Sequence, residues 1–244
     1  MNTVMVADTL QLPSGIAGHL VFDSFFYPAQ IELASAFSYF KANNIKDLIL
    51  DLRYNSGGRL DIAQTLASYI AGNSRAENVF VKLSYNDKNQ DSNVSFPFLN
   101  TAYSLDLQRI VIITSSSTAS ASEDVINGLK PFVNVVTIGS TTDGKPTGMN
   151  EWNIGNQYYI YPVEFKLVNK DNEGDFFSGI APDAPILDDI TRSFSDREEL
   201  CLKAAISYLE TGLLPTSKSM SQFQRHPQFS EKPAWMNNAF DIRK

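Results

Sequence analysis

Short, almost wholly apolar runs alternate along this chain with segments whose apolar residues recur every three or four positions. "DLILDLR", "RIVIIT" and "NVVTIGS" are of the first kind, as expected of strands covered on both faces. "AGHLVFDSFF" reads as a further, mostly apolar strand. Helical spacing runs from about Pro28 to Asn43, with Leu33, Ala36, Phe37 and Phe40 on one face and a proline in the first turn. It returns in "LDIAQTLASYIAG" (Ile62, Leu66, Tyr69, Ile70), in Glu123 to Leu129, and from about Asp196 to Thr211. "NVFVKLSY" alternates as a half-exposed strand would, Asn86 to Ser95 reads as a polar surface loop, and "QYYIYPVEFKLV" as one long strand. Strands alternating with helices predict an α/β domain with a mostly parallel sheet. The periodicity stops after Gly212, so residues 1–15 read as a lead-in, 16–212 as the domain and 213–244 as a polar tail.

Three glycine- or serine-rich junctions follow buried-strand patterns: "DLRYNSGG", "TSSSTASASE" and "IGSTTDGKPTG". In an open α/β sheet such strand ends meet at one rim and form the ligand site. The second junction packs six small hydroxyl residues, from Ser115 to Ser122, between an apolar strand and a helix, a position that a flexible linker does not explain. A serine opening a helix has unpaired backbone N–H groups beside it, which is what acyl transfer needs to hold a tetrahedral oxyanion. Lys145, between Gly144 and Pro146, is a candidate base for such a serine. A lysine acts as a base only when neutral, which requires burial without a carboxylate partner. Asp143, two residues away, is therefore expected to point elsewhere.

Composition narrows the chemistry. The 244 residues can bury a sizeable core, and a net charge of -7 argues against nucleic acid as a partner. The lone cysteine, Cys201, falls on an apolar stripe and is read as a buried helix residue. The two histidines, His19 and His226, sit in no ligand-spaced motif, so no metal or other cofactor is expected and neither histidine is favoured as a base. There is no stretch of membrane-span length and no signal-peptide pattern at the N-terminus.

Taken together, "DLRYNSGG", "STASASEDVINGLKP" and "GSTTDGKPTG", with "GIAPD" near Gly179, resemble the S41 family of carboxyl-terminal processing (tail-specific) proteases, and most closely its Bacteroides-type envelope branch. The resemblance runs from about Gly15 to Gly212. It implies a ClpP/crotonase-like spiral of β-β-α units and a serine peptidase acting on polypeptides through a Ser–Lys dyad. Ser120 would be the nucleophile and Lys145 the base. The backbone N–H of Ala121 and of Gly58 or Gly57 would form the oxyanion hole, with Gly58 preferred. It also implies a bacterial periplasmic or envelope location. Two departures stand out: Met149 occupies the position where many relatives place a glutamine that orients the lysine, and there is no room for a PDZ domain, so the chain reads as an isolated catalytic domain.

Other readings of the same residues exist. "STASAS" could be a loop ending in an N-cap at Ser120 or Ser122, with Glu123 or Asp124 favouring the helix dipole, and "NSGG" a tight turn requiring positive φ. Trp152, Tyr158, Tyr159 and Tyr161 could line a cleft, although core or sheet packing is the readier account. At the level of function, the alternatives are a non-catalytic S41-like module binding peptide or an apolar ligand, and a crotonase-like acyl-CoA enzyme.

Overall fold

A computed structural model describes residues 2–215. The chain opens with β1 (Val4–Leu12) and β2 (Gly15–Phe22), followed by α1 (Ala29–Ala42), β3 (Asp47–Asp51) and α2 (Leu60–Ala71). Next come β4 (Val79–Tyr85), β5 (Val94–Pro97), β6 (Arg109–Thr114), α3 (Ala121–Leu129) and β7 (Asn134–Gly139). The chain continues with β8 (Thr147–Met149), β9 (Trp152–Ile154), β10 (Tyr158–Ile160), β11 (Val163–Val168), β12 (Ala184–Pro185) and α4 (Leu200–Thr211).

The main sheet has the order β1-β2-β3-β6-β7-β12, parallel throughout except for the β1/β2 hairpin. Its central strands explain their unbroken apolar runs. Leu48 and Leu50 of β3, and Ile110 and Ile112 of β6, face a core shared with α1, α2 and α3. The intervening Ile49, Val111 and Ile113 face the opposite layer, where α4 lays down Cys201, Leu202, Ala205 and Tyr208. A strand sandwiched in this way has no polar face to show. A second, antiparallel sheet, β5-β4-β11-β8, and the separate β9/β10 hairpin complete the molecule.

Several expected boundaries move. The lead-in segment forms the edge strand β1, and the expected loop 86–95 already enters β5 at Val94. The long strand expected over "QYYIYPVEFKLV" is two, interrupted at Pro162, which has no N–H to give a ladder. The last helix starts at Leu200 rather than near Asp196, where the Glu199 carboxylate accepts the Cys201 and Leu202 N–H groups as an N-cap. His226 and most of the tail lie outside the described residues.

One buried ionic cluster ties the layers together just beyond β3. The Arg53 guanidinium, 2% exposed, bonds Asp51 at 2.7 Å, Glu199 at 2.8 Å and Asp188 at 2.6 Å. It thus fastens the end of a central strand to the cap of α4 and to the loop before it. Burial pushes the Asp51 carboxyl above its ordinary range, although Arg53 pulls the other way. Removing only the cation should leave these acids unpaired. Arg53→Met is expected to lower the unfolding free energy by about 3–5 kcal/mol in urea titrations. The variant's folded state should then bind protons that its unfolded state releases, so its deficit should shrink as pH falls.

Candidate active site

The parallel neighbours β3, β6 and β7 end side by side, which brings the three glycine- and serine-rich junctions to one rim of the sheet. The crowd of hydroxyls at the middle junction has a structural explanation. Ser115 Oγ donates to Arg53 O, Thr118 Oγ1 to Leu52 O at 2.7 Å, and Ser122 Oγ to Asn55 O at 3.0 Å. The Ala119 N–H adds a bond to Asn55 O at 3.1 Å. These groups stitch the junction after β6 to the one after β3. Ser120 is not part of that stitching and instead lines an open cleft.

Ser120 precedes the first residue of α3 and has φ 55° and ψ -121°. A non-glycine residue there is strained by roughly 1–3 kcal/mol, a cost that persists only where surrounding bonds impose it. Those bonds converge on Glu123, which is fully buried. Its Oε2 accepts the Ser120 N–H at 2.9 Å and the Lys145 N–H at 2.9 Å. Its Oε1 accepts the Gly144 N–H at 2.8 Å and the Thr142 hydroxyl at 2.5 Å. Thr142 Oγ1 in turn accepts the Ile180 N–H at 2.7 Å, joining the "GIAPD" segment to the same assembly. One carboxylate therefore fixes the backbone on both sides of the Ser120/Lys145 cleft. From sequence, Glu123 was only a favourable charge at a helix start. The S-x-x-E capping pattern was the signal available, but it does not reveal the bonds to the lysine loop.

The "NSGG" junction wraps against the same helix start. Asn55, fully buried, donates from Nδ2 to Phe22 O at 3.0 Å and accepts the Gly57 N–H at 2.9 Å. Gly57 has φ 98°, and a Cβ on it would lie 2.8 Å from both Ala119 O and Ser120 Cβ. Gly58 has φ 142°, and a Cβ there would lie 2.5 Å from Phe25 O. Both positions thus require glycine, for backbone conformation and for space. Because Asn55 occupies the Gly57 N–H, the two glycines are not equivalent. Among the described residues the N–H groups of Gly58 and Ala121 donate to no partner, and both residues line the cleft.

The cleft encloses about 520 Å³. Ser120, Ala121, Gly58, Lys145, Met149 and Asp124 all border it. Lys145 is half-buried and forms no ion pair among the described residues. Asp124, 3% exposed, lies within electrostatic reach of Lys145, and burial and the neighbouring Glu123 push its carboxyl well above the usual carboxylate range. Asp143, placed near the lysine by sequence, is exposed, and its N–H bonds Thr118 O at 2.9 Å. The aromatic residues depart from the packing expected of them: Trp152, Tyr158, Tyr159 and Tyr161 are each more than half exposed, on or beside the β9/β10 hairpin. Of these four only Tyr161 borders the cleft. His19 is buried in β2, where burial and the nearby Arg53 hold its pKa down to about 4, and it does not line the cleft. No cluster of three or more metal-ligating side chains occurs among the described residues.

The sequence profile of peptidase family S41 matches residues 17–186, well over half of the chain. The chain belongs to peptidase family S41. A Staphylococcus epidermidis protein named "Probable CtpA-like serine protease" is 27% identical over 185 residues, covering 76% of this chain and 36% of that protein. A crystal structure of an S41 protein from Bacteroides fragilis superposes with a TM-score of 0.79 at 26% identity, covering 85% of this chain and 58% of the other. The photosystem II D1 C-terminal processing protease shares the fold, with a TM-score of 0.62 at 17% identity, over 77% of this chain and 49% of that one. The chain thus spans about a third of the length of the curated relatives it matches. The S41 resemblance expected from the three junction motifs is borne out.

In this S41 chain Glu123 carries the most concentrated set of buried bonds at the cleft. Glu123→Leu should leave three backbone N–H groups and the Thr142 hydroxyl without their acceptor and cost at least about 3 kcal/mol in urea unfolding. Glu123→Gln, which keeps one good acceptor oxygen, is expected to cost clearly less in the same measurement. Equal stability of all three proteins would mean that Glu123 does not hold the two loops together.

Proposed function

We propose that this chain is the catalytic unit of a serine endopeptidase that cleaves polypeptides, with Ser120 as nucleophile and Lys145 as base. The observation that carries the reading is a single cleft bordered by a strained serine at a helix start, a lysine from the next loop without an ion pair among the described residues, and two N–H groups with no partner among them. Family membership supports serine peptidase chemistry. In this scheme the neutral Lys145 amine takes the Ser120 hydroxyl proton as Oγ attacks the scissile carbonyl. The carbonyl oxygen becomes an anion, and the Gly58 and Ala121 N–H groups hold it. The Lys145 ammonium then protonates the leaving amine, and the acyl-serine is hydrolysed by a water that Lys145 deprotonates in the reverse sense. Gly57 has no donor to offer, since its N–H is held by Asn55.

The layered arrangement of parallel strands and helices fits a ClpP/crotonase-like spiral of β-β-α units, in which the oxyanion donors and the nucleophile come from successive strand-to-helix junctions. Extended polypeptide is the substrate class, and trimming of protein C-terminal regions in a bacterial periplasm or envelope is the biological role the family likeness supports. No described helix is long and apolar enough to cross a membrane.

Incubation with a mixed peptide pool, read by mass spectrometry, tests the proposal. Wild type should yield products and take up a fluorophosphonate at Ser120, whereas Ser120→Ala should lose several orders of magnitude in rate and not be labelled. Acylation should rise with pH as the base loses its proton, and Lys145→Arg should abolish it because a guanidinium stays protonated. If wild type shows neither serine-dependent products nor labelling, the chain is a non-catalytic module that binds peptide or an apolar ligand.

A further inference from the structure

Asp124 is a buried acid of the cleft that the chemistry above does not use. It lies one helical turn beyond Ser120, whose carbonyl accepts its N–H at 2.9 Å. Its neighbour Glu123 has both oxygens filled by donors, but the Asp124 carboxyl accepts no hydrogen bond from any described residue. The charged groups acting on it are Glu123, from its own helix, and Lys145, from the loop before β8. The other charged residues of the cleft have partners of their own: Arg59 pairs with Asp61 at 2.7 Å, and Glu151 accepts from the Tyr161 hydroxyl. Met149, at the cleft rim, offers only a thioether, too weak an acceptor to steer an amine.

A lysine base needs a neighbour that orients its nitrogen without adding negative charge, because a carboxylate would hold the ammonium form. A carboxylic acid meets that need, since its carbonyl oxygen accepts an N–H as an amide's does. Burial and Glu123 push Asp124 toward that neutral form, well above the usual carboxylate range, while Lys145 pulls the other way. The rotatable stem of Lys145 can close the remaining distance when substrate fills the cleft.

We propose that Asp124 is the positioning residue of the base: as a neutral acid, its carbonyl oxygen accepts a hydrogen bond from the Lys145 amine and turns the nitrogen lone pair toward Ser120. The inference rests on Lys145 being the base. No proton leaves Asp124 during the cycle, and the proton from Ser120 passes to Lys145 and on to the leaving amine.

Asp124→Asn and Asp124→Leu, with Ser120→Ala as control, test this by measuring kcat and KM across pH. A second readout is the rate at which acetic anhydride acetylates Lys145, followed by peptide mass spectrometry in the Ser120→Ala background. The asparagine amide reproduces a neutral acid that cannot ionise. Asp124→Asn should therefore keep kcat within about threefold, with its pH profile and the acetylation rate of Lys145 little changed, whereas Asp124→Leu should alter the acetylation rate. Asp124→Leu keeps the bulk without the acceptor and should lose about 100-fold in kcat with KM little changed. If Asp124→Asn falls as far as Asp124→Leu, the charged carboxylate is what matters and the proposal is wrong. Full kcat in Asp124→Leu overturns it as well. Absence of any Ser120-dependent turnover in the wild type refutes the peptidase reading instead. In that case the acetylation rates still decide the link between the two side chains: equal rates with and without Asp124→Leu end it.

Discussion

The buried carboxylate of Glu123 is the constraint on which the cleft depends. A carboxylate removed from water must have its lone pairs satisfied, or it is strongly destabilising. Here the donors come from two loops far apart in sequence: the Ser120 N–H on one side, and Thr142, Gly144 and Lys145 on the other. The acceptor therefore acts as a template, because neither loop can relax without leaving a buried charge underbonded. It also accounts for the backbone at Ser120, where φ is positive without a glycine to permit it cheaply.

A second ionic centre supports the first from below. Arg53 gathers Asp51, Asp188 and Glu199 at the root of the "NSGG" loop, and Glu199 is at the same time the N-cap of α4. Between the two centres lie the hydroxyl stitches from Ser115, Thr118 and Ser122 to the backbone of residues 52–55. The rim is thus held by hydrogen bonds of defined direction, while the apolar layers beneath it supply burial without fixing the angle of any one group. This division leaves the Gly58 and Ala121 N–H groups at the cleft without partners among the described residues, on loops that are still held rigidly.

Adjacent acids on α3 show how environment divides one chemical type into two tasks. Glu123 is buried among donors, and Asp124 is buried beside a cleft without them. The first organises backbone through the donors it accepts, and burial pushes the second well above the usual carboxylate range. Environment, not residue type, separates such roles.

The apolar runs of β3, β6 and β7 and the helical stripes of α1, α2 and α3 were legible in the sequence, because burial on both faces or on one stripe writes itself into composition. The glycine- and serine-rich junctions were legible too, since chain reversal at a strand end restricts which residues fit. The edge strand β1, the break at Pro162 and the exposure of Trp152 and its tyrosine neighbours were not, since each depends on what the segment meets, or fails to meet, elsewhere in the fold. That Asn55 takes the Gly57 N–H, while the Gly58 N–H has no partner among the described residues, is a difference that spacing cannot display. Local sequence determined which residue types stood at the rim. Only the tertiary structure decided how Glu123, Asp124 and Lys145 face one another, because hydrogen bonds and desolvation are set by distance in space, not by position along the chain.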